Sequence, residues 1–461
     1  MIEHSIVKKI LNALLGNGAD FSEIFIQKRA FNNLRLEDGK IENSTSGNEL
    51  GCGLRLWAGE STFYAYVDSL KEDKLLNAAK VLSSAVNGSS HIKILNLTET
   101  NSSYNTNVKK IPSTIDPDNK KNILETIDRD SRNSSSNVIQ VTSFLSDVEE
   151  QIFTANSYGF FSLEEAAKTF LGVNVVAKRG KNIGTGYKSI GWTGGYELFE
   201  TKNPGTLAAK ASKIAVSMLD AVDAPAGELP VVIGPAFGGV IFHEACGHGL
   251  EADSVVKDAS VFKNKIGKKI ASEIVTAVDD STLKHHWGSY KFDGEGFPSC
   301  RTVLIKDGIL QGYIYDLKNS KKMGEKQTGN GRRQSYRHVP FPRMSNTYID
   351  NGNENPVSII KSVNKGIYAK EFAGGQVDPV TGDFVFGISE GYLIEGGKIS
   401  FPIKDATLIG NGPDILKKIE AVGNNLDFAP GFCGKNGQSV SNEVGQPTIK
   451  VSKITIGGTK S

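Results

Sequence analysis

His243 and His248 stand five residues apart, directly after the apolar run Val240-Ile241-Phe242, in the stretch IFHEACGHGLEAD. An apolar run of this kind buries, and a polar group carried in behind it needs a partner. The pattern H-E-x-x-H puts two histidines on one helical face, where they bind zinc. The spacing here is one residue longer. At about 100° per residue, a regular helix would point the two imidazoles about 140° apart. If both histidines bind one metal, the helix cannot be regular between them.

Three readings of the stretch compete. The histidines can be ordinary, satisfied side chains at a helix end, with Gly247 and Gly249 stopping the helix. His243 and Cys246, three apart, can share a metal. Or a π-type turn, with an i→i+5 hydrogen bond, can carry His248 round to the face of His243; such turns concentrate at functional sites. Glycine eases that distortion, and Gly247 and Gly249 are in place for it. The segment LPVVIGPAFGGVIF ahead of it reads as a short strand, a Gly/Pro turn and a helix starting near Ala236.

Catalytic zinc takes about three protein ligands and keeps one position for water. Two histidines leave the set incomplete. The chain has only four cysteines, Cys52, Cys246, Cys300 and Cys433, far apart and with no C-x-x-C pair. That usage fits a reducing cytosol rather than a disulfide framework. Cys433, flanked by Gly431, Gly434 and Gly437, lies on a backbone that can approach another segment closely. It reads either as a ligand or as a small buried hydrophobe.

Against 53 basic residues stand 51 acidic ones, a net charge of +2, so there is no electrostatic case for nucleic acid or an anionic membrane. Ile6, Val7, Ile10, Leu11, Leu14 and Leu15 form one face of an amphipathic helix that Gly16 and Gly18 stop. Glu3, Lys8 and Lys9 argue against a signal peptide. No stretch reaches the ~18 apolar residues of a membrane span.

Alternating segments on either side of Asp38-Gly39 read as a hairpin. KEDKLLNAAKVLSSAV returns to helical spacing. Residues 86–120, rich in Asn, Ser and Thr, read as a linker. NVIQVTSFLSDVEEQIFTANS and LGVNVVAKRGKNIGTGYKSIG read as further strands, and LAAKASKIAVSMLDAV as a helix. Pro225, Gly227 and Pro230 mark a boundary. The last third is strand-rich, with hairpins at Asp307-Gly308 and Gly396-Gly397 and a final strand in PTIKVSKITIGG.

The blocks HEACGHGLEAD, DGEGFPSCRTVLIKDGIL, TGNGRRQSYRHVPFPRMSNTYI, FVFGISEGYLI, ATLIGNGP and CGKNGQSVSNEVGQP, in this order and spacing, resemble the TldD/PmbA metalloprotease family. ADFSEIFIQ and LRLEDGKIE are similar to its first domain. The resemblance spans nearly the whole chain and is loosest between about residues 85 and 140. It implies a zinc site of His243, His248 and Cys433, with Glu244 as the catalytic carboxylate, and no ligand role for Cys246. Because the chain keeps each of these elements, it resembles the catalytic branch rather than the PmbA (TldE) branch, which lacks the zinc motif.

The family further implies a cytoplasmic peptidase for unstructured peptides. It assembles as a heterodimer with a TldE/PmbA-like subunit, or as a homodimer, around an enclosed cavity. Its roles are removal of leader peptides and degradation of unfolded small proteins. The alternative is a non-catalytic regulatory or binding subunit, the sense of the family's older label, modulator of DNA gyrase. In the Arg-rich block, His338, Tyr336 and Arg333 are the expected substrate-binding residues, on an active-site loop rather than a solvated surface. Glu251 and Asp253 are expected to be solvated helix-end charges rather than partners of the histidines. His91, His285 and His286 are expected at the surface.

The expected fold is α+β. An N-terminal antiparallel sheet with helices occupies residues 1–110, a middle α+β subdomain 111–224, and a strand-rich, barrel-like domain carrying the metal helix 225–461.

Overall fold

The apolar face of the first helix, His4–Leu15, buries Val7, Ile10, Leu11, Leu14 and Leu15 against strands and a second helix, Glu72–Ser83. This computed structural model describes residues 2–89, 92–99, 108–378 and 380–459. Asp38 and Gly39 both take positive φ, 47° and 76°, the signature of a two-residue hairpin turn. The turn joins two long strands, Phe21–Glu37 and Lys40–Ala58.

The strand Phe21–Glu37 pairs on its other side with Val138–Asn156. One antiparallel sheet thus runs Ser61–Val67, Lys40–Ala58, Phe21–Glu37, Val138–Asn156, Phe160–Arg179, Asn182–Thr193. Residues from the first two sequence segments therefore share a sheet. Its longest strands, up to 20 residues, span about 65 Å, more than one helix layer can cover. Two helical layers cover it at different places. The first and second helices pack over Ile24, Leu54 and Leu56. Helices Pro117–Ser134 and Pro204–Ser217 pack over Val141, Leu171 and Val173.

The helix Pro117–Ser134 begins inside the stretch read as a linker. Asp116 caps it, accepting from the Asp118 N–H at 2.8 Å, and Pro117 takes the first turn. Cap and proline outweigh a polar composition, because both satisfy the open end of a helix.

Beyond residue 225 five strands close a barrel in the order Lys365–Val377, Gly227–Ile233, Ile449–Gly457, Thr407–Asn411, Asp383–Glu395, and back to Lys365–Val377. Beside it lies a six-stranded sheet that ends in the hairpin Asp427–Lys435/Gln438–Gln446. The segment Ala236–Leu250 runs between barrel and hairpin. It starts on Ala236 at φ 63°, and Gly239 lies so close to the hairpin that a Cβ there would sit 2.6 Å from the Gly445 oxygen. Among the described residues no helix is long and apolar enough to cross a membrane.

Candidate metal centre

The turn that carries the two histidines is not a regular helix. The chain passes from a short 3₁₀ turn, Ala236–Gly239, through one α turn, Val240–Phe242, into a π turn, His243–Gly247. The His248 N–H bonds the His243 carbonyl, an i→i+5 bond. This is the third of the readings open for the sequence, and it does what that reading requires. The two imidazole rings stand 5.1 Å apart, edge to face. Gly247 is required for this packing, since a Cβ there would lie 2.2 Å from Met344 Sδ.

The hairpin supplies the third group. Strand alternation puts Cys433 and Lys435 on one face of Asp427–Lys435, and Asn442 lies on the paired strand opposite Gly431. Cys433 Sγ lies 3.6 Å from His248 Nε2. One ligand-type atom from each of His243, His248 and Cys433 lies within 4.8 Å of the others, so the group could hold a metal ion. Tetrahedral zinc with bonds near 2.0–2.3 Å spaces its ligand atoms by roughly 3.3–3.7 Å, and the Cys433–His248 pair is at that spacing.

The donor chemistry fits a cation. His243 is 1% exposed, and its Nε2 makes no hydrogen bond although it is buried. Its Nδ1 faces the Asn442 amide at 3.4 Å, whose Oδ1 is also unpaired. Rotating that amide by 180° lets Oδ1 accept from Nδ1–H and leaves a free lone pair on Nε2. Burial alone would raise the Cys433 thiol, but the imidazoles of His243 and His248 bring it down to about 4, a thiolate. Burial opposes a charged His248 as well, yet Glu251 and Cys433 hold its pKa well above the usual histidine value.

Glu251 and Asp253 are not solvated charges, which corrects the sequence expectation. After Leu250 the backbone extends and bridges to Ile314, and this turns Glu251 inward. Its Oε2 accepts from His248 Nδ1 at 3.0 Å and from Lys435 Nζ at 2.8 Å. Lys435 also reaches Asp253 at 2.6 Å. Burial opposes the Glu251 charge, but His248 and Lys435 lower its pKa to about 2. Sequence reading missed Lys435 and Asn442. The available signal was their place, two residues beyond Cys433 and across the hairpin from Gly431.

Glu244 is partly exposed, with Oε2 3.6 Å from His248 Nε2. Cys246 points the other way, into the barrel core, where burial pushes its thiol up. Tyr336 is buried against Gly51 and Gly53, and its hydroxyl bonds Asp68. His338 is half-buried, with Nδ1 2.8 Å from Ser335 Oγ. Arg333 is buried and bonds Glu23 at 2.5 Å across the two halves of the molecule. These three residues make their hydrogen bonds away from the histidines and Cys433. His285 and His286 are half-buried at the junction rather than free at the surface: His285 stacks on Trp192, and His286 Nδ1 lies 2.6 Å from Glu443. His91 lies outside the described residues.

Fold and site together define the class. Three successive stretches match models of the PmbA/TldA metallopeptidase: domain 1 over residues 22–86, the central domain over 110–219 and the C-terminal domain over 226–458. The chain is 39% identical to a Metalloprotease TldD homolog of Haemophilus influenzae over 98% of this chain and 95% of that one. It is 37% identical to a Metalloprotease TldD homolog of Buchnera aphidicola over 99% of this chain and 97% of that one. Among solved structures, TldE from Thermococcus kodakarensis shares the fold with a TM-score of 0.77 at 20% identity, covering 98% of this chain and 99% of that one. The chain belongs to the PmbA/TldD metallopeptidase family.

Proposed function

We propose that the protein is a zinc-dependent peptidase for unstructured peptides. In this reading His243 Nε2, His248 Nε2 and Cys433 Sγ hold the metal, and Glu244 is the general base. The observation that carries it is the convergence of three ligand-type atoms from a distorted helix and a distant hairpin within 4.8 Å of one another. Names of relatives that are metalloproteases support the same chemistry.

Zinc bound by such a set supplies a Lewis acid that polarises a peptide carbonyl and brings a water's pKa to about 7. The rest of the work falls to the chain. Glu244 takes the water's proton on a carboxylate oxygen and passes it to the departing amine nitrogen. Glu251 accepts from His248 Nδ1–H, which fixes the ring with Nε2 toward Cys433 and would leave the Nε2 lone pair for the metal. Lys435 compensates the Glu251 charge. Cys433 contributes a thiolate and so reduces the positive charge of the site.

An extended peptide that adds to a strand edge is bound through its main chain, with little demand on its sequence. Removal of leader peptides and degradation of unfolded small proteins both fit that mode. The proposed assembly is a dimer, with a TldE/PmbA-like chain or a second copy, in the reducing cytoplasm that four free thiols suit.

The test is cleavage of an unstructured peptide by the metal-loaded chain, with and without a TldE-like partner, alongside Glu244→Gln. About one zinc per chain and cleavage lost in Glu244→Gln are expected. Cleavage that survives in Glu244→Gln, or after chelation, overturns the zinc mechanism, and no cleavage by the metal-loaded chain, with or without the partner, overturns the reading in favour of a non-catalytic regulatory subunit.

A further inference from the structure

The hairpin that carries Cys433 has a second face. Phe432 and Ser441, a cross-strand pair, alternate with Cys433 and Asn442 and so point away from the metal-type group. On that side lies a cavity of about 330 Å³ between the N-terminal sheet and the C-terminal half. Its apolar walls include Phe25, Trp287, Tyr290 and Phe432.

Two cations face this cavity without a carboxylate in ion-pair range, although Glu150, Glu164 and Glu443 act on Lys168, and Asp279 on Arg332, from farther off. Lys168 Nζ donates to Ser441 Oγ at 2.6 Å and to the Trp287 carbonyl at 3.1 Å, and lies 5.5 Å from the Trp287 ring. Arg332 donates to the Met344 carbonyl at 2.6 Å and to the Ser441 carbonyl at 2.7 Å. Their hydrogen-bond partners here are neutral, and among the described residues neither has a carboxylate oxygen within 4.0 Å.

The acids that line the cavity are engaged elsewhere. Glu150 pairs with Arg29 at 3.4 Å, Glu164 accepts from the Lys291 and Phe292 N–H groups, and Asp293 accepts from the Glu295, Phe297 and Gly331 N–H groups. Arg333, the fourth cation on the wall, is paired with Glu23. A half-buried ammonium with no carboxylate in ion-pair range is costly, and burial, with Arg332 nearby, lowers the Lys168 pKa to about 8. The cost falls if a ligand brings the missing negative charge.

We infer that this cavity is a second binding site, distinct from the metal-type centre, which takes the C-terminal carboxylate of a peptide ending in an aromatic residue. Lys168 is the anchor for the carboxylate, Ser441 orients it, and Trp287 and Phe432 pack the terminal side chain. Arg332 holds the hairpin and adds positive potential.

The probes are N-acetyl-glycyl-phenylalanine, its C-terminal amide, and inorganic phosphate. Binding to the full-length, metal-loaded chain is read by calorimetry and by tryptophan fluorescence. The acid is expected to bind at least about tenfold tighter than the amide, because a charge-assisted bond to a half-buried cation separates them. Lys168→Met should abolish that preference, whereas Cys433→Ser should leave it. The second result also separates this cavity from any carboxylate held at the metal. Equal binding of acid and amide overturns the inference, as does no binding of either. A preference that survives in Lys168→Met, or one lost in Cys433→Ser, overturns it too. Phosphate that competes as well as the acid overturns the aromatic half of the proposal and leaves a simple anion site. If Lys168→Met fails to fold, the acid–amide comparison on the unaltered protein decides.

Discussion

At the scale of single residues, three side chains of the centre converge because others hold them. Glu251 is the clearest case, since it accepts from both His248 and Lys435 in a dry setting. Replacing it by Gln keeps an acceptor and removes the charge. Partners of this kind typically set metal affinity within a factor of 10–100. Glu251→Gln is therefore expected to weaken zinc by about that factor, measured by competition with a chromophoric chelator. Two cysteines separate the competing ligand sets. Cys433→Ser should lose most of the bound zinc in elemental analysis. Cys246→Ser, in the barrel core, should keep it. The reverse result would require Cys246 to leave that core and would return the His243–Cys246 reading.

At the scale of elements, the π turn is what places His248. Its backbone has no room for a side chain at Gly247, where a Cβ would lie 2.2 Å from the buried Met344 sulfur. Gly247→Ala is expected to cost about 1–3 kcal/mol through overpacking, seen as a lower unfolding midpoint and lower zinc content. Met344→Ala in the same chain should restore part of both, because it empties the space the new methyl needs. If Gly247→Ala binds zinc normally, the turn tolerates more than its packing allows. The hairpin has the complementary role: one strand pair presents Cys433 to the centre and Phe432 to the cavity behind it.

At the scale of the whole molecule, the two halves are joined by a buried ionic cluster. Arg55 bonds Glu23 at 2.5 Å and Glu295 at 2.7 Å, and Arg333 bonds the other oxygen of Glu23. Arg55→Met leaves carboxylates buried beside one another, a change that costs about 3–5 kcal/mol. It is expected to expose the junction to protease and lower the thermal midpoint. Beside this cluster, burial and then Glu295 raise Asp316 to about 7. An unfolded Asp titrates near 3.9. Between those values the native state holds a proton that the unfolded state has lost. This contribution to stability is therefore complete below about pH 4 and is lost as pH rises to about 7. Asp316→Asn should flatten that part of the midpoint–pH curve, and an unchanged slope would exclude Asp316 as its source.

Some of this was determined by the chain's local chemistry. The amphipathic face of residues 6–15, the Asp38-Gly39 turn and the strand alternation are short-range patterns, and each reappears as an element. The five-residue histidine spacing has the same character: two rings can share a face only through a π turn, and the turn is there. The family blocks carried the rest of the site, since spacing alone left Cys433 either ligand or core. Only tertiary structure decided the pairing of Phe21–Glu37 with Val138–Asn156, the closure of the barrel, and the burial of Glu251 and Asp253. Charged residues near a helix end look solvated in sequence. Whether they are depends on what another segment brings to them, and here Lys435, 184 residues away, brings the charge that lets Glu251 stay buried. The same distance hides the hydrogen-bond partners of Arg333 and Tyr336, since Glu23 and Asp68 belong to the other half of the molecule.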